Sequence, residues 1–254
     1  VILAHASDPH VGSIHDEALL SAWRSLPGAL DGVRPRPGLL MLTGDLTDHG
    51  TAPEYRRLDD LLSGLDGLGV RCRVVAGNHD DPAVLRETLP HLFGEVADDA
   101  GSPAVWTEVV DGVTLVGLDS SSGTLGATQL SWLDGVLAAA TGPVLVALHH
   151  PPFPTGLHQL DTEWPLVDAA ALRAVVARHP VVAGVLCGHD HRHIATVLDG
   201  RVPLVSAPAL SWRPRLDLRP GEPLTPSPSH EPAGLLIHVV DELGLRTHHL
   251  PLAH

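Results

Sequence analysis

Five short apolar runs end abruptly in polar, mostly histidine-bearing clusters, and this pattern constrains the chain more than any other. Val1–Ala6 leads into Asp8-Pro9-His10, and Gly38–Thr43 into Gly44-Asp45-Leu46-Thr47-Asp48. Val70–Ala76 leads into Gly77-Asn78-His79-Asp80, Val144–Leu148 into His149-His150, and Val181–Cys187 into Gly188-His189-Asp190-His191. Runs this short and unbroken read as buried strands. Glu17–Leu26 and Pro53–Leu65 carry apolar residues at helical spacing, the second through Leu58, Leu61, Leu62 and Leu65. Strand–helix–strand alternation predicts a sheet with parallel crossovers. Sites in such sheets form beyond the carboxyl ends of strands, so clusters on one rim converge on one crevice.

The middle of the chain changes character. Val105–Val110, Asp111-Gly112 and Val113–Leu118 make a hairpin with a type I′ turn. Ala127–Ala140 and Ala169–Arg178 read as helices, and two further hairpins join Ile194–Leu198 to Val202–Ser206 and Leu235–Val240 to Leu245–Leu250. Residues 208–232 are Pro-rich and exclude regular helix or central strand. That segment reads as a surface excursion or as a cap over a substrate pocket. No repeat or boundary divides the chain, so residues 1–254 are expected to form one domain.

The clusters offer carboxylate, imidazole and amide groups and no thiolate, a set that suits Mn, Fe or Zn. A carboxylate can bridge two such ions while His and Asn complete separate shells. Glycine before several of these groups permits a close backbone approach. Two ions about 3.5–4 Å apart form a clamp for in-line attack on phosphorus. Taken singly, each cluster is weak. Asp8-Pro9-His10 reads more readily as a surface turn, Gly77-Asn78-His79-Asp80 as well as an ordinary turn, and His149-His150 as well as a solvated strand end, while Gly188-His189-Asp190-His191 is the better metal signal. The weight lies in the set, each member following a strand.

Composition narrows the partners. The net charge is −14, and all sixteen basic residues are Arg, with no run of them. Such a surface repels long nucleic acid and offers no anionic-membrane patch. A small anionic substrate remains open to it, because bound cations dominate the field locally. No apolar run approaches the ~18 residues of a membrane span, and Val1–Ala4 is too short for a signal-peptide core, so a cytoplasmic location is expected. Cys72 and Cys187 sit in apolar runs and read as buried free thiols.

The ordered set resembles the signature of the calcineurin-like metallophosphoesterase superfamily: D-x-H, G-D-x-x-D, G-N-H-(D/E), H and G-H-x-H, from Asp8 to His191. Gly44–Gly50 with Glu54-Tyr55, Asn78-His79-Asp80-Asp81 and Ala147–Pro152 are most similar to its class III cyclic-nucleotide phosphodiesterase branch. The resemblance implies an α/β fold, a four-layer α/β/β/α sandwich with two mixed β-sheets. It implies one metal held by Asp8, His10, Asp45 and His191, and a second held by Asp45, Asn78, His149 and His189. His79 would face the substrate phosphate and assist the leaving oxygen, with Asp48 orienting it. The implied reaction is hydrolysis of a small phosphodiester, such as a 3′,5′-cyclic nucleotide, by in-line attack of a metal-bridging hydroxide. The related branch includes oligomers, so a homodimer is expected. Pro9 departs from the usual residue of the first motif, and geometry is expected to survive it.

His150 is the nearest rival to His149, but adjacent residues of an extended segment point opposite ways, so only one should reach the metal. His15, His49, His158 and His193 are weaker candidates to line the pocket. Asp119 is expected to serve a turn, and Trp212 to pack within the excursion or stack on a base. His230, His248, His249 and His254 are expected at the surface. Two other functions use the same residues: a phosphomonoesterase acting on a small metabolite, and a non-catalytic scaffold that retains its ligands.

Overall fold

Each short apolar run becomes a strand, and the strands assemble into two sheets. The computed structural model describes residues 1–227 and 231–252. The expectations for His230 and His254 lie outside the described residues. The first half comprises β1 (Ile2–Ala6), α1 (Asp16–Gly32), β2 (Leu39–Thr43), α2 (Ala52–Leu62), β3 (Arg71–Val75) and α3 (Pro82–Thr88). Then come β4 (Glu95–Val96), β5 (Trp106–Val110), β6 (Val113–Gly117), α4 (Gly126–Ala139), β7 (Val144–Ala147), α5 (His158–Glu163) and α6 (Ala169–Arg178). β8 (Val182–Cys187), β9 (Ile194–Leu198), β10 (Val202–Ser206), β11 (Gly234–Asp241) and β12 (Gly244–Pro251) follow.

One sheet runs β12-β11-β1-β2-β3 and the other β4-β5-β6-β7-β8-β10-β9. β1, β2 and β3 are parallel, while β11 pairs antiparallel with β1. β6, β7, β8 and β10 are parallel, with antiparallel β5 and β9 outside them. Both sheets are therefore mixed. Alternation along β7 makes the layers: Leu145 and Ala147 join the core shared with the first sheet, α1 and α2, whereas Val144 and Val146 join the core under α4 and α6. The result is the four-layer α/β/β/α sandwich.

Local chemistry explains several element ends. Glu54 reaches back to the Thr51 backbone N–H at 3.2 Å and starts α2. Asp111 and Gly112 take φ of 48° and 80°, as a type I′ turn requires. α1 differs from expectation, because it continues through Pro27 to Gly32. An interior proline costs about 3 kcal/mol. Beyond it Leu30 is fully buried, on the same face as Leu19, Trp23 and Leu26, and each such side chain contributes about 1.5–3 kcal/mol. Burial of that stripe outweighs the lost hydrogen bond. α3 was not foreseen; its signal is Asp81-Pro82, where the carboxylate accepts from Ala83 and Val84 N–H at 2.9 and 3.0 Å.

The described part of the Pro-rich excursion doubles back on itself. Arg215 N–H donates to Thr225 O at 2.7 Å, and Ser227 N–H to Arg213 O at 2.9 Å. Leu224 N–H donates to the side-chain oxygen of Gln159 on α5 at 2.8 Å, which fastens the loop to the sandwich. Cys72 and Cys187 are buried and free. Among the described residues no helix is long and apolar enough to cross a membrane.

Candidate metal centre

The loops after β1, β2 and β8 carry their polar side chains on strained backbone. Asp8, His10, Asp45, His189 and His191 all have positive φ, between 46° and 72°. Left-handed backbone costs a non-glycine residue about 1–2 kcal/mol, so several kcal/mol of strain is concentrated here. Cross-loop hydrogen bonds hold it. Asp8 N–H donates to Gly44 O at 3.1 Å and His10 N–H to Asp45 O at 2.9 Å. The buried Asp80 carboxylate accepts from the N–H groups of Gly77 (2.9 Å) and Leu46 (3.0 Å) and from Tyr55 Oη (3.1 Å), tying the β3 loop to the β2 loop. Burial and nearby Asp45 push Asp80 up to about 6. Packing is close enough to demand glycine: a Cβ on Gly77 would fall 2.3 Å from Asp45 N, and one on Gly188 1.9 Å from Ser7 Oγ.

Two groups of donor atoms converge there. Asp8, His10, Asp45 and His191 offer ligand atoms within 4.8 Å of one another. Within that group His10 Nε2 and His191 Nε2 are 3.1 Å apart, and His191 Nε2 is 3.3 Å from Asp8 Oδ1. In the second group His149 Nε2 lies 3.1 Å from Asn78 Oδ1 and 3.2 Å from His189 Nδ1. Asp45 joins them: its Oδ2 is 3.5 Å from His10 Nε2 and 3.4 Å from His149 Nε2. Its Oδ1 is turned away and accepts from His79 N–H at 2.9 Å.

Each imidazole has its other nitrogen committed. His149 Nδ1 donates to Thr43 O (2.7 Å), His189 Nε2 to Trp164 O (3.0 Å), His191 Nδ1 to Trp212 O (2.9 Å) and His10 Nδ1 to Asp48 Oδ1 (3.0 Å). These acceptors fix the tautomers so that a lone pair of each ring faces the centre. Asp8 Oδ1 is buried and has no hydrogen-bond partner. A buried, unpaired carboxylate oxygen among inward-facing imidazole nitrogens is costly unless a cation sits between them. The donor set therefore fits two cations, one in each group, with Asp45 shared.

The charges are coupled accordingly. Burial opposes ionisation of Asp45, but the neighbouring His149 and His10 hold its carboxyl well below the usual range. Burial alone would lower His149, yet Asp45 and Asp8 raise it.

The residues predicted from sequence meet here with different neighbours. His79 stands at the mouth, its side chain 41% exposed, with Nδ1 donating to the main-chain carbonyl of Asp48 at 2.9 Å. The Asp48 carboxylate itself is bonded to His10 and lies 3.8 Å from His79 Nδ1. His150 keeps a ring nitrogen within 4.8 Å of His149 and His189, but its Nδ1 pairs with Ser120 Oγ at 3.0 Å, and Asp45 and Asn78 face His149. His15 lines the cavity against Trp212, whereas His49 pairs with Glu54 outside it, and His158, His193, His248 and His249 are exposed. Asp119 serves its turn, accepting from Ser121 N–H at 2.9 Å. The carbonyls of Thr43, Trp164 and Trp212 were not foreseen, since every residue has one and only the fold aims it.

The comparisons with known proteins agree with this geometry. Residues 2–193 match the family model described as calcineurin-like phosphoesterase. A probable glycerophosphodiester phosphodiesterase of Arcobacter nitrofigilis is 30% identical over 86% of this chain and 80% of its own length. A cAMP/cGMP dual specificity phosphodiesterase of Mycobacterium tuberculosis is 35% identical over 75% of this chain, and the match covers 61% of that protein. A 3′,5′-cyclic adenosine monophosphate phosphodiesterase of Escherichia coli is 30% identical over 79% of this chain and 73% of its own. A dimetal phosphatase from Danio rerio superposes with a TM-score of 0.66 at 14% identity, covering 99% of both chains. A purple acid phosphatase of yellow lupin gives 0.69 at 10% identity, over 98% of this chain and 51% of that one. With its family model spanning most of the sequence and a paired-cation donor set at the strand ends, the chain belongs to the calcineurin-like phosphoesterases and is a metallophosphoesterase.

Proposed function

We propose that this protein hydrolyses a small phosphodiester, with a 3′,5′-cyclic nucleotide as the leading candidate. The observation that carries the reading is the Asp45 bridge: one carboxylate oxygen faces an imidazole nitrogen of each donor group, at 3.5 and 3.4 Å. Asp8, His10, Asp45 and His191 would hold one cation, and Asp45, Asn78, His149 and His189 the other. Cations there would supply the positive charge that activates water near neutral pH and steadies the phosphoryl oxygens.

The chain's own residues do the rest. Nδ1 of His79 is committed to the Asp48 carbonyl, which leaves Nε2 to serve the cavity that the ring borders. A proton held there donates to a phosphoryl oxygen and then to the departing alcohol oxygen. Asp48 steadies His10 directly, and its carboxylate lies 3.8 Å from His79 Nδ1. Pro214 and Leu224 of the 208–232 excursion border the cavity, and we read that segment as a cap that restricts water and substrate size.

The relatives' names favour a diester, and three of them belong to cyclic-nucleotide or glycerophosphodiester enzymes. The direct test is hydrolysis of bis-p-nitrophenyl phosphate, p-nitrophenyl phosphate and 3′,5′-cAMP by Mn-loaded protein, with Asn78→Ala as control. Diester turnover lost in the control supports the reading. Monoester turnover alone would move the function to a phosphatase on the same residues. Stoichiometric metal without any turnover would make the protein a scaffold.

A further inference from the structure

The catalytic cavity, about 550 Å³, is walled by aromatic and aliphatic groups. Trp212 stands on the His191 side, with ring centroids 4.6 Å from His191 and 5.6 Å from His15. Trp164 stands on the His189 side and is 45% exposed. Ile14, Leu160, Pro214 and Leu224 complete the apolar wall, and Ile14 is 96% exposed. An exposed indole and isoleucine at the mouth of a polar centre mark a surface that something covers.

The charges on the wall point the same way. None of the sixteen arginines borders this cavity, and the chain has no lysine, the undescribed residues included. Arg192 and Arg213 line a separate hollow, where Arg192 pairs with Glu231. Histidines aside, the acidic side chains bordering the cavity are Asp45, Asp48 and the fully buried Asp190. A second phosphate on the substrate would be desolvated among carboxylates with no cationic side chain to meet it.

We propose, building on the phosphodiesterase reading above, that Trp164 and Trp212 select a diester whose scissile phosphate is its only negative charge and whose arm is a flat, uncharged ring. The indoles offer stacking faces on the two sides of the Asp45 bridge. The missing arginines make the wall reject any further phosphate.

Three diesters with one leaving group test this on the Mn-loaded protein: methyl p-nitrophenyl phosphate, thymidine 5′-(p-nitrophenyl phosphate), and the latter carrying a 3′-phosphate. The thymidyl ester should exceed the methyl ester in kcat/KM by about tenfold, and the added 3′-phosphate should remove about tenfold or more. Trp164→Leu and Trp212→Leu should each lower the thymidyl-to-methyl ratio about fivefold, with Trp212→Phe restoring most of it. Quenching of tryptophan emission by the slowly cleaved adenosine 3′,5′-cyclic phosphorothioate should weaken in parallel. Equal kcat/KM with and without the 3′-phosphate, or a ratio and a quenching affinity unmoved in both leucine variants, would overturn the proposal. If no diester turned over, the phosphodiesterase reading would fail, and the fluorescence titration would still decide the role of the indoles.

Discussion

The main-chain carbonyl of Trp212 lies 2.9 Å from Nδ1 of His191, so the segment that walls the cavity also decides which nitrogen of His191 faces the metal centre. Trp164 O does the same for His189 at 3.0 Å. Substrate wall and ligand tautomer thus rest on the same two backbone segments. Leucine in place of either indole keeps the carbonyl, which separates the side chain's role from the backbone's.

Asp48→Ala removes the acceptor that holds His10 Nδ1. Metal affinity should fall about 10–100-fold, the usual cost of losing such an outer partner. Competition against a chelator checks it, with metal content read by plasma mass spectrometry. Unchanged affinity would leave the Asp48 carboxylate without a role at His10.

His79→Ala should keep both cations, because His79 lies outside both donor groups proposed to hold them. On cAMP, whose leaving alcohol needs a proton, kcat should drop by about 10²–10³. On p-nitrophenyl esters, whose leaving group departs as an anion, the drop should be much smaller. Full turnover of the unactivated diester by this variant would remove His79 as the proton donor.

Gly188→Ala places a Cβ 1.9 Å from Ser7 Oγ and 2.5 Å from Thr43 O, both buried and hydrogen-bonded. Relief requires the β8 loop to move away from Asp8, at a cost of about 1–3 kcal/mol. Denaturant unfolding should report that loss, together with weaker metal binding. A variant as stable as the parent would mean the loop is freer than its packing implies.

Acid should destabilise the fold through a buried histidine pair outside the metal centre. His238 is pushed down to about 3 by burial, and His5, 3.0 Å away, is lowered well below its ordinary value by burial and by His238. Both fold as neutral rings, whereas the unfolded chain takes up protons below about pH 6.5. Between that pH and about 3 the unfolded state binds more protons, so stability falls as pH falls, by about 1.4 kcal/mol per pH unit for each ring. Urea midpoints of metal-free protein should show this slope from pH 6.5 down to about 4.5. The double variant His5→Leu, His238→Leu should flatten it; an identical slope in that variant would rule out the pair.

Much of the candidate site was legible because each of its donor residues follows a strand, and strands are readable from short apolar runs. Asp8, His10, Asp45, Asn78, His149, His189 and His191 all stand where those runs end. The partner of His79 was less legible. Asp48 lies at a readable position, but its carboxylate faces His10 and its carbonyl faces His79, a choice set by loop geometry. Trp23, Leu26 and Leu30 carried α1 past a proline that local propensity would have ended it at, because burial is settled by what packs across the core.

Sequence alone determined the types of donor atom, their order along the chain and the alternation that makes sandwiched sheets, since these depend on residue chemistry and on periods of a few residues. Tertiary structure decided which oxygen of Asp45 faces both donor groups, which nitrogen of each histidine is free and which carbonyls hold the others. Those choices depend on left-handed turns and on contacts between residues up to 181 apart, such as His10 and His191, and no local pattern encodes them.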